Sequence, residues 1–286
     1  MSDLDAVAAP TDVEEGTLDG GVFYHHWPVA GPRAVAVLVH GLGEHSGRYQ
    51  HVADALAARG VAAIAPDHLG HGRSPGLRCH IRRFSDFFGA LDAVRAVVDE
   101  RYPGVPCFIV GHSMGGLIAG AYLLERQDRF HGAVFSGAAF EVPEPPGAFT
   151  MMMYKFLAAV LPRLGALQLD ASQVSRDPEV VRRYREDPLV HDGKTSAGLL
   201  VALLTAAQEL EARRGALTQP VLVLHGEGDV KTPPHGSKNF IEAVGSKDNN
   251  LRIYPHLYHE IFKEPEQAMV LGDMLDWLDA HIPAAE

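Results

Sequence analysis

The sequence contains little cysteine, no long apolar run and no excess of positive charge. Its two cysteines are Cys79 and Cys107, and Cys107 falls in an apolar run. We therefore expect both to be reduced packing residues, as in cytoplasmic proteins. No apolar run approaches the roughly 20 residues that span a bilayer, and the acidic start Met1-Ser-Asp-Leu-Asp is unlike a secretory signal. The sequence predicts a cytoplasmic protein and leaves peripheral contact with membranes open.

The charge balance argues against nucleic acid as a partner. Among 286 residues, 25 Lys and Arg stand against 36 Asp and Glu, which gives a formal net charge of −11. Binding to phosphate backbones, and electrostatic docking on anionic lipids, need clustered Lys and Arg. Transient apolar contact with a membrane or micelle stays open, and nothing in the sequence predicts an oligomeric state.

Short apolar runs alternate with helical patterns along most of the chain. Runs at 34–39, 61–65, 107–110, 133–136, 221–224 and 251–254 predict buried strands with helices between them. This alternation predicts an α/β protein with a mostly parallel, doubly wound sheet. Before the first buried strand, we expect a mobile tail at 1–15 and a hairpin turn at Gly20-Gly21.

The alternation stops between about residue 140 and residue 217. Pro143, Pro145 and Pro146 interrupt the chain, and helical patterns follow at 149–161, 178–185 and 195–213. The sequence therefore predicts a core of 16–139 and 218–286 that carries a helical cap at 140–217. The first cap helix is strongly apolar, and the three consecutive methionines 151–153 cannot all face one core. It predicts a surface for lipid chains, with plain packing on the core as the alternative.

One serine lies in a turn that is typical of catalytic nucleophiles. Gly111-His112-Ser113-Met114-Gly115 fits the pattern Gly-x-Ser-x-Gly, and it follows a predicted strand and precedes a predicted helix. In such a turn a strained backbone lifts the serine hydroxyl above the sheet edge, and the glycines let strand and helix approach closely. We predict that Ser113 is a nucleophile, which requires an oxyanion hole, an acid and a base.

The oxyanion hole needs two backbone N–H groups near the serine. One follows the serine itself, and the other lies on a glycine-flanked loop after an earlier strand. The sequence His40-Gly41-Leu42-Gly43 follows the strand at 34–39. Leu42 and Met114 are therefore the predicted oxyanion donors.

The acid and the base are predicted on two later loops, because ligands of doubly wound sheets bind outside the carboxyl ends of the strands. Asp229 follows the strand at 221–224, with Glu227 as a rival acid. His259 follows the strand at 251–254, with His256 as the other candidate base. The order Ser113, Asp229, His259 matches the order of serine, acid and histidine in α/β hydrolases.

Longer stretches of the chain resemble the monoacylglycerol lipases of the α/β-hydrolase superfamily. The matching stretches are His40–Tyr49, Pro66–Ser74, Gly111–Gly116, Ser175–His191 and Leu257–Glu260. The resemblance implies an α/β-hydrolase fold, the triad and oxyanion donors named above, and a mobile cap over an acyl tunnel. It also implies that Glu44, Arg48 and Tyr184 make polar contacts near the glycerol end of the site. The sequence departs from the family's pattern in the loop 227–231, which varies within the family, and this departure leaves the triad intact.

The implied reaction is hydrolysis of a monoacylglycerol to a free fatty acid and glycerol through an acyl-enzyme, with no cofactor or metal. A lysophospholipase or a broad carboxylesterase is the nearest alternative, and a non-catalytic ligand-binding protein of the same fold is a remoter one. His68 and His71 resemble a metal pair, but no carboxylate–histidine cluster at ligand spacing supports a metal site. Acyl-chain length and positional preference are not predicted.

Overall fold

The structure is a computed structural model that describes residues 11–141, 147–168 and 170–284. Most of the predicted tail and the proline run at 143–146 lie outside the described residues. The strands are β1 (Glu14–Thr17), β2 (Phe23–Trp27), β3 (Ala34–Val39), β4 (Val61–Pro66), β5 (Cys107–His112), β6 (Gly132–Ser136), β7 (Gly165–Leu167), β8 (Thr195–Ser196), β9 (Val221–Gly226) and β10 (Asn249–Tyr254). The helices are α1 (Gln50–Ala57), α2 (Asp86–Arg101), α3 (Met114–Arg126), α4 (Ala148–Val160), α5 (Pro178–Glu186), α6 (Ala197–Arg213), α7 (Pro234–Ala243) and α8 (Gln267–His281).

Eight strands form one sheet in the order β1-β2-β4-β3-β5-β6-β9-β10. The strands from β4 to β10 in this order run parallel, and β1 and β2 form the predicted antiparallel hairpin at one edge. β3, β4, β5 and β9 are buried along their whole length, because helices cover both faces of the sheet. The predicted doubly wound α/β fold is confirmed.

Two apolar layers hold the helices on the sheet. On one face, α2, α3, α6 and α7 pack through side chains such as Phe87, Leu117 and Phe240. On the other face, α1 and α8 pack through Leu56 and Met274. The carboxyl ends of the parallel strands are left for the loops that carry the predicted site.

The insertion between β6 and β9 contains α4, α5 and α6. The prediction of a purely helical insertion was wrong in one respect, because β7 and β8 pair as a small antiparallel sheet. A strand of three residues and one of two are too short for an alternating apolar pattern to reveal. The helix predicted from residue 195 begins at Ala197, where the Ser196 side chain accepts the N–H of Leu199 as a cap. Within the described ranges, no helix combines the length and apolar character needed to cross a bilayer.

Candidate active site

Ser113 lies in a sharp turn between β5 and α3. Its φ of 54° and ψ of −122° are strained values for a residue with a side chain. Four hydrogen bonds fix the turn: the Ser113 N–H donates to the Ser136 carbonyl at 3.0 Å, and the Ser113 carbonyl accepts from Gly116 at 2.9 Å, Ala139 at 3.0 Å and Leu117 at 3.3 Å. The surrounding backbone therefore holds the strained conformation in place.

Glycine at both ends of the pentapeptide follows from how closely strand and helix approach. A methyl group on Gly115 would lie 2.0 Å from the Val39 carbonyl oxygen. One on Gly111 would lie 2.6 Å from the Gly115 carbonyl oxygen. Neither distance leaves room for a carbon atom, so the glycines serve the close approach that the sequence predicts.

Ser113, His259 and Asp229 form a hydrogen-bonded chain. His259 Nε2 lies 2.9 Å from Ser113 Oγ, and His259 Nδ1 lies 2.7 Å from Asp229 Oδ2. All three residues are buried and lie on loops beyond the carboxyl ends of β5, β9 and β10. We assign the ring proton to Nδ1, which faces the carboxylate, and this leaves Nε2 free to accept the serine hydroxyl.

The rival residues of the sequence analysis lie away from this chain. Glu227 and His256 are both exposed, and in the part of the chain that the structure describes neither side chain makes a hydrogen bond. His256 also adopts a φ of 66°, which turns the loop before His259. The structure thus brings Asp229 and His259 to Ser113 and leaves Glu227 and His256 in solvent.

A ring of polar groups surrounds the Asp229 carboxylate. Oδ1 accepts the N–H groups of Lys231 at 2.8 Å and Thr232 at 3.0 Å. Oδ2 lies 2.8 Å from Thr232 Oγ1 and 3.2 Å from His225 Nε2. Burial alone would raise the pKa of Asp229, but His259 and the hydrogen bond from His225 hold it well below its usual range. Asp229 is therefore a carboxylate at neutral pH.

Sequence reasoning missed Thr232 and His225. Thr232 follows Asp229 by three residues, a spacing at which a side chain commonly bonds to a turn, so this signal was available. His225 belongs to a strand whose pattern indicates burial and nothing more. Its contact with Asp229 depends on the path of the turn after β9.

The loop 40–43 lies against Ser113. A methyl group on Gly41 would be 3.2 Å from Ser113 Cβ, and the Gly41 N–H donates to Glu44 Oε1 at 2.8 Å. Among the described residues, no acceptor takes a hydrogen bond from the N–H of Leu42 or of Met114. Both N–H groups of the predicted oxyanion hole are therefore free to donate to a bound oxygen atom.

The three residues predicted at the glycerol end come together with two that were not predicted. Arg48 Nη1 lies 2.6 Å from Glu44 Oε2, and the Arg48 guanidinium stacks 4.6 Å from the centre of the Tyr184 ring. Arg48 also pairs with Glu260, and Lys263 lies beside the same carboxylate. Glu260 directly follows His259 in the sequence, but this position does not predict its pairing with Arg48, which lies 212 residues earlier in the chain.

The cavity at Ser113 is small. Its volume is about 20 Å³, and it is lined by Gly41, Leu42, Glu44, His112, Ser113, Val174, Tyr184, Lys231, His259 and Glu260. Val174 and Tyr184 come from the insertion, which therefore covers the serine. A groove of about 1030 Å³ lies elsewhere, between α2, α3, α4 and α6, and Ser113 does not line it. In the described residues no group of three or more His, Cys, Asp and Glu could hold a metal ion.

Comparisons with known proteins identify the family of the chain. The family model described as Serine aminopeptidase, S33 matches residues 30–266. The monoacylglycerol lipase of Mycolicibacterium smegmatis is 42% identical over 266 residues, which cover 92% of this chain and 95% of that protein. The monoglyceride lipase of Homo sapiens is 36% identical over 247 residues, which cover 85% of this chain and 81% of that protein.

Solved structures give the same result. The crystal structure of Paleococcus ferrophilus monoacylglycerol lipase superposes with a TM-score of 0.81 at 34% identity, covering 91% of this chain and 99% of that one. A soluble variant of the Saccharomyces cerevisiae monoglyceride lipase, in complex with a substrate analog, gives 0.82 at 25% identity, covering 98% and 97%. The chain therefore belongs to the hydrolase family that the matched model describes, and within it to the monoacylglycerol lipase family of carboxylic ester hydrolases.

Proposed function

We propose that this protein hydrolyses a monoacylglycerol to a free fatty acid and glycerol, with Ser113, Asp229 and His259 as its catalytic triad. The proposal is carried by the hydrogen-bonded chain from Ser113 Oγ through His259 to Asp229, with distances of 2.9 Å and 2.7 Å. Such a chain is the arrangement that acyl transfer by a serine requires. The choice of substrate rests on the names of the relatives.

In the first half of the reaction, Ser113 Oγ attacks the ester carbonyl carbon while its proton moves to His259 Nε2. Asp229 keeps the Nδ1 proton in place and stabilises the imidazolium that forms. The N–H groups of Leu42 and Met114 hold the oxyanion, and loss of one such donor costs about 10²–10³ in kcat. His259 then gives its proton to the glycerol oxygen, the carbon–oxygen bond breaks, and an acyl ester remains on Ser113.

In the second half, water replaces glycerol. His259 Nε2 takes a proton from the water molecule, whose oxygen attacks the acyl carbonyl carbon. When the tetrahedral intermediate collapses, the proton returns to Ser113 Oγ and the fatty acid leaves. The protein's own residues supply every proton transfer in this scheme, so it calls for no cofactor or metal.

At the glycerol end, we assign direct contact with substrate to Tyr184. Glu44 and Tyr184 both line the cavity at Ser113, whereas Arg48 lies behind them. The polar atoms of Glu44 and Arg48 already bind each other and neighbouring groups. In the described part of the chain the Tyr184 hydroxyl makes no side-chain hydrogen bond, which leaves it available to a glycerol hydroxyl.

We assign the insertion the role of a cap that meets lipid. Met151 is buried, whereas its neighbours on α4 are exposed, with Phe149 at 72% and Phe156 at 64% of full exposure. Clustered apolar side chains on one exposed helix are typical of a surface that contacts lipid aggregates. The cavity at Ser113 has a volume of about 20 Å³, and we propose that the cap moves to make room for an acyl chain.

A lysophospholipid is the substrate class that competes with a monoacylglycerol. The observation that favours it is Lys231, which lines the cavity and donates from Nζ to the Asp170 carbonyl at 2.6 Å. A single ammonium group could attract a phosphate. Lys231 supports a lysophospholipid less strongly than the relatives support a monoacylglycerol. Arg48 does not provide a second cation to bind the phosphate, because it is already paired with two carboxylates.

The test compares fatty acid release from a monoacylglycerol, a lysophosphatidylcholine and a short p-nitrophenyl ester. We expect the highest kcat/KM for the monoacylglycerol, and a loss of about 10⁴-fold or more in Ser113→Ala with the circular dichroism spectrum unchanged. A fluorophosphonate should label Ser113 in the folded wild-type protein. Failure of that labelling would contradict the triad, and a preference for lysophosphatidylcholine would replace the proposed substrate.

A further inference from the structure

We infer that Arg48 and Glu260 are positioning residues that fix the oxyanion loop (residues 40–43) to the histidine loop (residues 255–260). One guanidinium joins Glu44, which holds the first loop, to Glu260, which belongs to the second. The inference rests on the proposed triad, because it concerns the distance between the oxyanion donor Leu42 and the base His259.

On the oxyanion side, Glu44 holds the peptide that precedes the Leu42 donor. Its Oε1 accepts the Gly41 N–H at 2.8 Å and the Tyr49 hydroxyl at 2.8 Å. The side chain is 2% exposed, so water does not compete for these bonds. The free direction of the Leu42 N–H thus depends on where Glu44 is held, and Glu44 Oε2 is held by Arg48 at 2.6 Å.

On the histidine side, Arg48 binds Glu260 through both terminal nitrogens. Nη1 lies 2.7 Å from Oε1 and Nη2 lies 2.8 Å from Oε2. The pair is therefore bidentate, and the guanidinium plane is fixed relative to the carboxylate. Glu260 directly follows His259, and its own N–H donates to the Val174 carbonyl at 2.7 Å. The position of the guanidinium therefore constrains the backbone that carries the base.

The charges of this cluster balance, and both carboxylates are ionised at neutral pH. Lys263 Nζ lies 3.1 Å from Glu260 Oε2 and 3.9 Å from Glu44 Oε2, so two cations face two carboxylates. Burial alone would raise both carboxyl pKa values. Arg48 and Lys263 lower the pKa of Glu260 to about 2, and Lys263 and Arg48 hold that of Glu44 well below its usual range.

A buried ion network is seldom a net source of stability, because desolvation offsets much of the attraction between its charges. Its place between two catalytic loops is explained instead by geometry. A displacement of about 1 Å at a catalytic group can cost about 10²-fold in rate. A bridge that keeps the oxyanion donor and the base in register acts on the reaction by fixing their relative positions.

The test uses Glu260→Gln, which keeps the shape of the side chain and removes one acceptor and the charge. We expect kcat for a p-nitrophenyl ester to fall about tenfold to 100-fold while KM changes less than about twofold. The inhibition constant of a trifluoromethyl ketone should rise by the same factor, because its tetrahedral adduct occupies the oxyanion hole. Arg48→Lys keeps the positive charge but cannot form the bidentate pair. We therefore expect the same changes in kcat and in the inhibition constant.

The matched control is Asp92→Asn. Asp92 is also held by an arginine through two hydrogen bonds, from Arg126 at 2.9 Å and 3.2 Å, but it lies on α2, away from the site. We expect this variant to lose thermal stability with kcat and the inhibition constant unchanged. The inference is overturned if Glu260→Gln lowers the Tm and leaves both kinetic constants at the wild-type values.

Two further outcomes are separable from that result. If Glu260→Gln does not fold, the same measurements on Arg48→Lys decide the inference. If the wild-type protein cleaves the p-nitrophenyl ester but not a monoacylglycerol, the proposed substrate fails, and the comparison of variants on the p-nitrophenyl ester still tests the bridge.

Discussion

Asp229, the proposed acid of the site, stands two residues from another carboxylate on the same loop. Asp229 is 3% exposed and accepts hydrogen bonds on both oxygens, whereas Glu227 points into solvent. An acid that orients an imidazole must be desolvated and held, because its task is to fix the tautomer and to stabilise the imidazolium. The polar ring around Asp229 meets that requirement, and nothing comparable surrounds Glu227.

We predict that Asp229→Asn lowers kcat by about 10⁴-fold, because the amide favours the wrong tautomer of His259. Glu227→Gln is the matched control on the same loop and should change kcat by less than about twofold. Steady-state kinetics on a soluble ester, with the Tm of each variant, measure both effects. A large loss in Glu227→Gln together with a small one in Asp229→Asn would show that the acid is misassigned.

The residues of the site differ in how far the sequence reveals them. Ser113, Asp229 and His259 each follow a strand in a loop with turn residues, so a reading of strand ends locates them, although the rivals Glu227 and His256 remain. His225 and Lys263 cannot be located by strand ends. Their roles depend on how a turn or a short helix folds back on the site, and no periodic pattern records that path.

Secondary structure elements also differ in how well the sequence predicts them. The bounds of β3 agree with the strand predicted at 34–39, because an unbroken apolar run defines them. β10 was predicted from Leu251 but begins at Asn249, since an edge strand has an exposed side that accepts polar residues. The β7–β8 pair escaped prediction because so few residues form it.

The apolar face of α4 supports a prediction about interfacial catalysis. Replacing Phe149 and Phe156 by serine should weaken binding to lipid vesicles at least about tenfold, because burial of one phenylalanine is worth about 1.5–3 kcal/mol. Turnover of a long-chain monoacylglycerol in micelles should fall with it. Turnover of a short soluble ester should stay within about twofold, since the substituted side chains are exposed and do not line the cavity at Ser113. Vesicle co-sedimentation and parallel assays on the two substrates measure this.

The control for α4 is Met269→Ser on α8. Met269 is 51% exposed, close to the 58% of Met152 on α4, but it belongs to the helix on the opposite face of the sheet. It should change neither vesicle binding nor turnover of either substrate. Equal losses on the long and the short ester in the α4 variant would argue that this helix is ordinary packing surface.

Across the whole molecule, buried and half-buried histidines couple stability to pH. Burial, and then neighbouring cations or histidines, lowers the pKa of His51 to about 4, of His112 to about 4 and of His71 to about 3, from a usual value of 6.5. The folded protein therefore keeps these rings neutral at a pH where the unfolded chain would protonate them. The unfolded state binds more protons between about pH 6.5 and 4, so acid favours unfolding in that window.

We predict that the free energy of unfolding, from urea titrations, falls as pH decreases from about 6.5 to 4.5, with a limiting slope of about 1.4 kcal/mol per pH unit for each such histidine. Glu260 has a pKa below the usual value of 4.5, so it changes the free energy of unfolding only below about pH 4.5, outside this window. His51→Gln isolates one ring, because an amide nitrogen can replace Nε2, which lies 2.9 Å from the Phe262 carbonyl. The plot of unfolding free energy against pH should have a slope smaller by about 1.4 kcal/mol per pH unit in His51→Gln than in the wild-type protein, which corresponds to one proton. Equal slopes would mean that His51 does not titrate on unfolding.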